Sequence, residues 1–550
     1  MRRERQTSGQ LTAKSISVND AKRKSDGCAR KAVELTSGGL SCVPDSGLGK
    51  PQGDSIPGQK SAEGTVVAQA AKARTVPLPR GKGSGEYVAG LMGGKRQNYQ
   101  LKLDFGDEAR GETSSVVREG TETLVANRAT ESPAKTDTLM EEVLERGNLK
   151  EALKRVKANK GSAGVDGRTV TQLVRYLVKH WPEHREQLLS GTYQPQPVKR
   201  VEIPKPDGGV RKLGIPTALD RLVQQALLQV LQRKWDPTFS EHSYGFRPGR
   251  SAHQAVAQAQ QYIAEGYGIV ADLDLEKFFD RVNHDKLMGA VAKRITDKRV
   301  LKVIRAFLNA GVMEGGLVGP SVEGTPQGGP LSPLLSNIVL DELDRELERR
   351  GHRYVRYADD CNIYVGSLRA GQRVMESITQ FITQRLKLKV NSEKSAVARP
   401  QERKFLGFSF TGEVEPRRRI APKAVKRFKG RVREITRRRK GDSVGKRIEE
   451  LRRYLVGWRG YYGFCQTPSV LAALDSWVRR RIRCIFWIQW KTGRRRFDEL
   501  HRRGVDRQLA ANTAGSNHGP WRMSVSKAVT AALSTAFFDS LGLPRLAAGR

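Results

Sequence analysis

The sequence predicts an α+β fold: a mixed core of strands and helices from about residue 198 to 410, followed by a helical region. Three observations carry that expectation. Short runs of β-branched and aromatic residues alternate with amphipathic stretches through the core. Two of those runs carry acids, Asp272 and Asp274 in "IVADLDL" and Asp359 and Asp360 in "RYVRYADDCNIYV". From about residue 420 the pattern changes to basic helices interspersed with aromatic residues, "APKAVKRFKGRVREITRRRK" and "LRRYLVGWRGYYGFC".

Residues 1–137 are rich in Gly, Ser, Lys, Thr and Ala and poor in aromatics. Such a composition cannot bury enough apolar surface to offset chain entropy, so this part is expected to be largely disordered. Order begins at "LMEEVLERGNLKEALKRVKANKG", where Leu139, Val143, Leu149, Leu153 and Val156 predict amphipathic helices broken at Gly147. In "VKRVEIPKPDGGVRKLGIP" two strands flank the turn Pro206-Asp207-Gly208-Gly209, which places Lys205 and Arg211 on opposite arms of a hairpin. Thr217 and Asp220 stand in capping-box spacing at the head of the next helix. Residues 269–275 read as a buried strand, with Asp272 and Asp274 on one face because side chains alternate. "PLLSNIVLDELDRELERRG" is a helix that ends at Gly351, and Tyr354–Tyr357 and Ile363–Val365 are strands on either side of the paired acids.

The 550 residues include 98 Lys and Arg against 58 Asp and Glu, a formal net charge of +40. That excess points to a polyanion, nucleic acid first, because phosphate contacts release counterions and dominate affinity. No long apolar span and no secretory apolar segment follows "MRRERQTSGQ", so a membrane partner is not expected. Arg and Ser near the start would suit an organellar address, but Glu4, Asp20, Asp26 and Glu34 count against it. Cys28, Cys42, Cys361, Cys465 and Cys484 are scattered without a CxxC pair, so neither a structural zinc site nor a disulfide framework is expected, which fits a reducing compartment.

Two acids at a hairpin tip repel each other, and a metal ion or a cationic side chain relieves that repulsion. A plain solvent-facing turn also accepts two aspartates, so the pair alone is ambiguous. Two-metal phosphoryl transfer needs carboxylates from separate strands that hold divalent ions about 3.5–4 Å apart, one activating a 3′-hydroxyl and one stabilising pyrophosphate. Mg²⁺ takes one or two carboxylates and completes its shell with phosphates and water. Asp274 with Asp359 and Asp360 supplies such a set. A third segment, "EGTPQGGPLSPLLSNIVL", makes a stiff loop from Gly324, Gly328 and Gly329 with Pro326, Pro330 and Pro333. Its exposed amides would let a nucleotide or template base approach closely, and it runs directly into a helix rather than serving as a linker.

"DLDLEKFFD", "GTPQGGPLSP", "YADD", "LKLKVNSEKS" and "FLGFSF" resemble the palm motifs of reverse transcriptases, in that family's order. "NKGSAGVDG", "IPKPDGGVRKLGIP" and "SYGFRPGRSAHQAV" are similar to the N-terminal and finger motifs of group II intron-encoded proteins, and the basic helices resemble their thumb and maturase region, domain X. The resemblance implies a right-hand polymerase: a largely disordered extension over 1–137, an N-terminal and fingers region over 138–268, a palm over 269–412, a thumb/maturase domain over 413–510 and a tail over 511–550. It implies Asp274, Asp359 and Asp360 as catalytic, metal-binding carboxylates for two Mg²⁺ ions, with Mn²⁺ able to substitute. Asp274 is preferred to Asp272 because it stands five residues before Phe279, where the family places an aromatic gate under the nucleotide sugar. Lys205 and Arg211 would hold the incoming deoxynucleoside triphosphate, Gln327 would touch nucleotide or template, and Lys394 would lie near the leaving group.

In the helical region Leu451, Leu455, Trp458 and Tyr462 share a face and predict a core, while Arg452, Arg453 and Arg459 lie elsewhere on that helix and suit phosphates. Arg479, Arg480 and Arg481 repeat the mixture. RNA is bound through charge, shape and stacking, and the resemblance makes the parent intron RNA the expected partner, beside an RNA template with DNA primer and a target DNA. Many relatives end in a His-Asn-His nuclease with cysteine pairs; after residue 510 stand only Asn512, Asn517 and His518, so cutting of the second strand is not expected. In the N-terminal part Gln100, Leu101, Leu103 and Phe105 form an isolated apolar pattern that resembles the peptide by which bacterial polymerases dock on the sliding clamp. The expected setting is the bacterial cytoplasm, at the nucleoid. Alternative readings are a reverse transcriptase serving defence or repair, an RNA-binding splicing factor with a relic palm, and an RNA-copying RNA polymerase. The domain X pattern, the intact acids and Phe279 weigh against them in that order.

Overall fold

The computed structural model describes residues 138–204, 210–314, 317–319, 324, 328–437 and 441–547. The opening helices are Leu139–Leu144 and Arg146–Asn159. The break falls at Glu145, with ψ of 137°, not at Gly147, which lies inside the second helix. The Asn148 side-chain amide donates to the Val143 carbonyl at 2.8 Å and, 78 residues away, to the Ala226 carbonyl at 3.1 Å. A side chain thus closes the first helix and ties it to its neighbour.

Strands β1 (Val198–Pro204) and β2 (Val210–Ile215) form the expected hairpin, with Ile203 opposite Arg211. Two short strands that the sequence pattern did not announce, β4 (Val312–Glu314) and β5 (Leu317–Gly319), extend it into a sheet ordered β2-β1-β4-β5. Helix Ala218–Trp235 starts at Thr217, whose hydroxyl accepts from the Asp220 amide at 3.1 Å. The Asp220 carboxylate does not return to the cap backbone; it accepts from the Tyr193 hydroxyl at 2.8 Å and the Gln196 amide at 3.3 Å.

The sheet that carries the acids is ordered β6-β7-β3-β8, from β3 (Ile269–Asp274), β6 (Arg353–Tyr357), β7 (Asp360–Val365) and β8 (Ala396–Ala398). Alternation divides its faces. Ala271, Leu273, Tyr354, Ile363 and Val365 enter a core shared with helices Ala218–Trp235 and Ser332–Arg349. Val270, Val355 and Tyr364 enter a second core with helix Ala252–Ala264 and the helices after residue 421. Asp272 and Asp274 share the face of Val270, so the acids lie on the side toward the second core.

Strands β9 (Phe408–Phe410) and β10 (Arg418–Ile420) lead into helices Pro422–Ile435, Val444–Tyr462 and Pro468–Gln489. Leu451, Leu455, Trp458 and Tyr462 are buried, as their spacing predicts. The chain does not loosen after residue 510: short helices continue, and Val529, Leu533, Phe538, Leu543 and Leu546 are buried in the second core.

Candidate active site

Pairing of β3 with β7 sets Asp274 directly opposite Asp360, and pairing of β6 with β7 sets Tyr357 opposite Asp360, leaving Ala358 and Asp359 as a two-residue turn. The three acids chosen from the sequence therefore lie at one end of the sheet. Burial raises the Asp359 pKa; the charge of Asp274 adds to the rise, and Arg211 and Lys394 oppose it. Burial likewise pushes Asp360 well above the usual carboxylate range, reinforced by Asp272, Asp359 and Asp274. Asp359 thus shares the field of the two cations expected at a triphosphate, whereas Asp360 faces the side of Asp272 and Lys404.

Asp274 is held through its backbone. Its amide donates to Ser395 Oγ at 2.9 Å and its carbonyl accepts from the Asn391 amide at 2.8 Å. The same Asn391 accepts from the amides of Glu393 and Lys394 through its side chain, which folds the loop and brings Lys394 Nζ to 3.3 Å from Asp274 Oδ2. That oxygen is buried and accepts no hydrogen bond, because the ammonium is close but misdirected. A buried carboxylate oxygen without a donor beside two further acids is a chemistry that suits a divalent cation. Among the described residues no three acid, histidine or cysteine side chains converge on a single point. A site of that kind completes its coordination with substrate phosphates and water.

Asp272, on the same strand face, has a different fate. Arg403 donates to its Oδ2 through Nε at 2.9 Å and Nη2 at 2.6 Å, and Nη2 also donates to the Lys394 carbonyl at 2.6 Å. The sequence carries no local signal for Arg403, because the contact joins residues 131 apart.

Phe279 lies on the short helix Phe278–Arg281 and is half-buried, while Phe278 is buried in the core with its ring edge-on to Phe279. Of the two, Phe279 is the more exposed, packed against the edge of the first core. Gly324 has φ of +90°, and a Cβ there would lie 2.7 Å from the Phe279 carbonyl oxygen. Its amide donates to the Val282 carbonyl at 2.9 Å, and His284 Nε2 is 2.6 Å from its own carbonyl. This glycine permits close approach of two protein segments, where the sequence suggested approach of a nucleotide. Arg211 is half-buried at the start of β2. Lys205, Gln327 and the segment with Gln100, Leu101, Leu103 and Phe105 lie outside the described residues.

The arginines chosen in the helical region divide. Arg452, Arg453 and Arg459 are exposed, the first two beside Glu449. Arg480 stacks 3.8 Å over Trp521 and Arg481 donates to Thr436 Oγ1 at 2.6 Å, both half-buried. Arg479 is not placed to meet a phosphate: it is 3% exposed and paired with Asp475 at 2.8 Å and Asp539 at 3.4 Å. It sits one residue from the solvent-side pair, on the stripe of Leu471, Leu474, Val478 and Ile482 that faces the core.

Two known families match the chain. The profile described as "Reverse transcriptase (RNA-dependent DNA polymerase)" matches residues 203–410, and "Group II intron, maturase-specific domain" matches residues 425–504. Protein YkfC of Escherichia coli is 32% identical over 345 residues, 55% of this chain and 89% of that protein. The group II intron-encoded protein LtrA of Lactococcus lactis is 32% identical over 289 residues, 40% of this chain and 48% of LtrA, so the chain spans about half of that relative. Among solved structures, a chain of a "Partial Cas6-RT-Cas1--Cas2 complex" aligns with TM-score 0.30 and 22% identity over 45% of this chain and 42% of that one. With the acids gathered at the end of β3 and β7 and the helical region attached behind them, the chain belongs to the group II intron reverse transcriptases, RNA-directed DNA polymerases that carry a maturase domain.

Proposed function

We propose that the chain copies its own intron RNA into DNA at the end of β3 and β7, with Mg²⁺ as the natural ion and Mn²⁺ as a substitute. The observation that carries this reading is the cross-strand pair Asp274 and Asp360 with Asp359 beside them, in the field of Arg211 and Lys394. Asp274 and Asp359 would hold two divalent ions, with Asp360 supporting them from the neighbouring strand position. Such ions supply charge stabilisation at the attacking and leaving oxygens. Arg211, with Lys205, would bind the triphosphate as fixed cations. Lys394, close to Asp274, would shift toward the leaving pyrophosphate once that carboxylate is otherwise engaged. Phe279 would close the space under the sugar and exclude a 2′-hydroxyl, and Gln327 would contact nucleotide or template.

The second half of the proposal concerns the basic helices. Arg452, Arg453 and Arg459, with Arg480 on Trp521 and Arg481 beside Trp477, would meet intron phosphates and bases, so that the protein assists splicing and stays with the RNA it later copies. Target DNA and primer would enter as the further partners. The clamp-like pattern at Gln100, Leu101, Leu103 and Phe105 would tether the enzyme to replicating DNA, where a nascent strand could serve as primer. No described helix is long and apolar enough to cross a membrane, and we place the protein in the bacterial cytoplasm with its nucleic acids.

Two assays test the reading together. Primer extension on an RNA template should require deoxynucleotides and Mg²⁺ or Mn²⁺ and stop on chelation. Splicing of the flanking intron at low Mg²⁺ should be faster with the protein present. Extension on DNA alone, or no effect on splicing, would remove the corresponding half.

A further inference from the structure

The turn that presents Asp359 is unfavourable by its own sequence. Ala358 has φ of +59°, and only this first of the two turn residues is left-handed, the pattern of a type II′ hairpin turn that ordinarily takes glycine there. A non-glycine residue in that region costs about 1–2 kcal/mol and persists only where its surroundings impose it. The surroundings are a buried polar cluster that the family match does not explain.

Arg356, on β6 two residues before the turn, is fully buried, as is its partner Asp344 on helix Ser332–Arg349. Its guanidinium uses every donor it has. Nε donates to Asp344 Oδ1 at 2.7 Å, and Nη2 donates to Asp344 Oδ2 at 2.5 Å and to Ser243 Oγ at 2.8 Å. Nη1 donates to Asn337 Oδ1 at 3.1 Å and to the Ala358 carbonyl at 3.0 Å. Its backbone is fixed as well: its amide donates to the His242 carbonyl and its carbonyl accepts from the Tyr244 amide, each at 2.9 Å. The segment so attached brings Gly245 against the turn, where a Cβ would lie 2.2 Å from the Ala358 amide nitrogen. Asn337 closes the circuit by donating to the Gly245 carbonyl at 2.9 Å.

We infer that Arg356 is a positioning residue: with Asp344, Asn337 and Gly245 it imposes the left-handed Ala358 and so sets Asp359 for metal binding. The inference rests on the proposed role of Asp359 and adds that the carboxylate's place is dictated from behind. Desolvation argues that such a cluster is not kept for stability alone, since replacing a buried ion pair by apolar residues of similar size is often neutral or stabilising. A misplaced reacting group, by contrast, loses about 10²-fold for an error of about 1 Å.

The test separates those two roles. Arg356→Met with Asp344→Leu removes both charges, so no ion is left unpaired. The expected double variant melts within a few degrees of wild type and binds intron RNA normally. Its kcat falls by about 10²-fold, and Mn²⁺ binding to the enzyme–primer–template complex, read by electron paramagnetic resonance, weakens by at least tenfold. KM for deoxynucleotide should change little. Gly245→Ala, which leaves the charges alone and collides with the Ala358 amide, should give the same pair of losses. In the wild-type protein, hydrogen exchange in the peptide spanning Tyr357–Asp360 should be as slow as in the core of β7. Wild-type kcat and Mn²⁺ affinity in either folded variant would overturn the inference, as would exchange at the rate of an exposed turn if neither variant folds. Retained activity in Asp359→Ala would instead sink the reading of the site itself, a result the positioning variants cannot mimic.

Discussion

The acid end of the sheet and the helical region behind it both hold charged clusters, yet they relate to the solvent in opposite ways. At the sheet, like charges are forced together: Asp274 faces Asp360, and Asp359 lies in the turn between the strands. At the helices, opposite charges are paired and the excess faces out, as with Arg479 between Asp475 and Asp539 while Arg453 and Arg459 stay exposed. A cluster of like charges marks a candidate ligand site, and matched pairs mark architecture. A lesser contrast lies within one strand, where Asp274 keeps a buried oxygen without a hydrogen bond, the Lys394 ammonium 3.3 Å away, and Asp272 accepts two hydrogen bonds from Arg403.

The largest effect should come from the turn. Asp359→Ala should reduce extension on an RNA template by about 10²-fold or more, as loss of a group that stabilises transition-state charge does. Intron RNA binding should be unaffected, and retained synthesis above about a hundredth of wild type would remove Asp359 from the site. Next is the buried arginine of the helices. Arg479→Ala leaves Asp475 without its cation, while Asp539 keeps Arg545, and should cost about 3–5 kcal/mol in denaturant unfolding. Replacing Arg452, Arg453 and Arg459 by Gln should leave the unfolding midpoint unchanged. It should lower the salt slope of RNA binding by about one unit for each phosphate that is no longer neutralised. A slope unchanged in the triple variant would mean that those exposed charges face solvent alone.

A smaller and sharper contrast lies in the neighbouring rings. Phe279→Val should raise the ratio of ribonucleotide to deoxynucleotide incorporation without a large change in stability. Phe278→Ala should cost about 3–5 kcal/mol instead, as loss of a buried aromatic does. An unchanged ratio in Phe279→Val would move the sugar gate elsewhere.

Much of the site was legible because its chemistry is written in contiguous segments. Strand alternation put Asp272 and Asp274 on one face, but the paired acids, expected together at a hairpin tip, divide, with Asp359 in the turn and Asp360 opening β7. What was not legible depended on distant partners. Arg403 and Asp272 are far apart in sequence, and so are Arg356 and Ser243. A faint signal existed for the latter cluster: Arg356 shares the inward register of Tyr354, and Asp344 lies four residues after Leu340 on an apolar helix face. Opposite charges at two inward positions already suggest a buried pair. Arg479 was misplaced for the converse reason, since a run of three arginines reads as a surface until the helix register is set by Leu474, Val478 and Ile482. Asn148 moved the first helix break away from Gly147 through a hydrogen bond to Ala226 that no local pattern contains.

The central claim is that acids set among like charges, rather than acidity as such, define the working end of β3. Single-turnover primer extension on an RNA template with Asp274→Asn and Asp272→Asn tests it most directly, because the two carboxylates share one strand face two residues apart. The account predicts a loss of about 10²-fold or more for Asp274→Asn. For Asp272→Asn, which keeps an acceptor for Arg403, the loss should stay within about tenfold. Equal losses, or the reverse order, would contradict it.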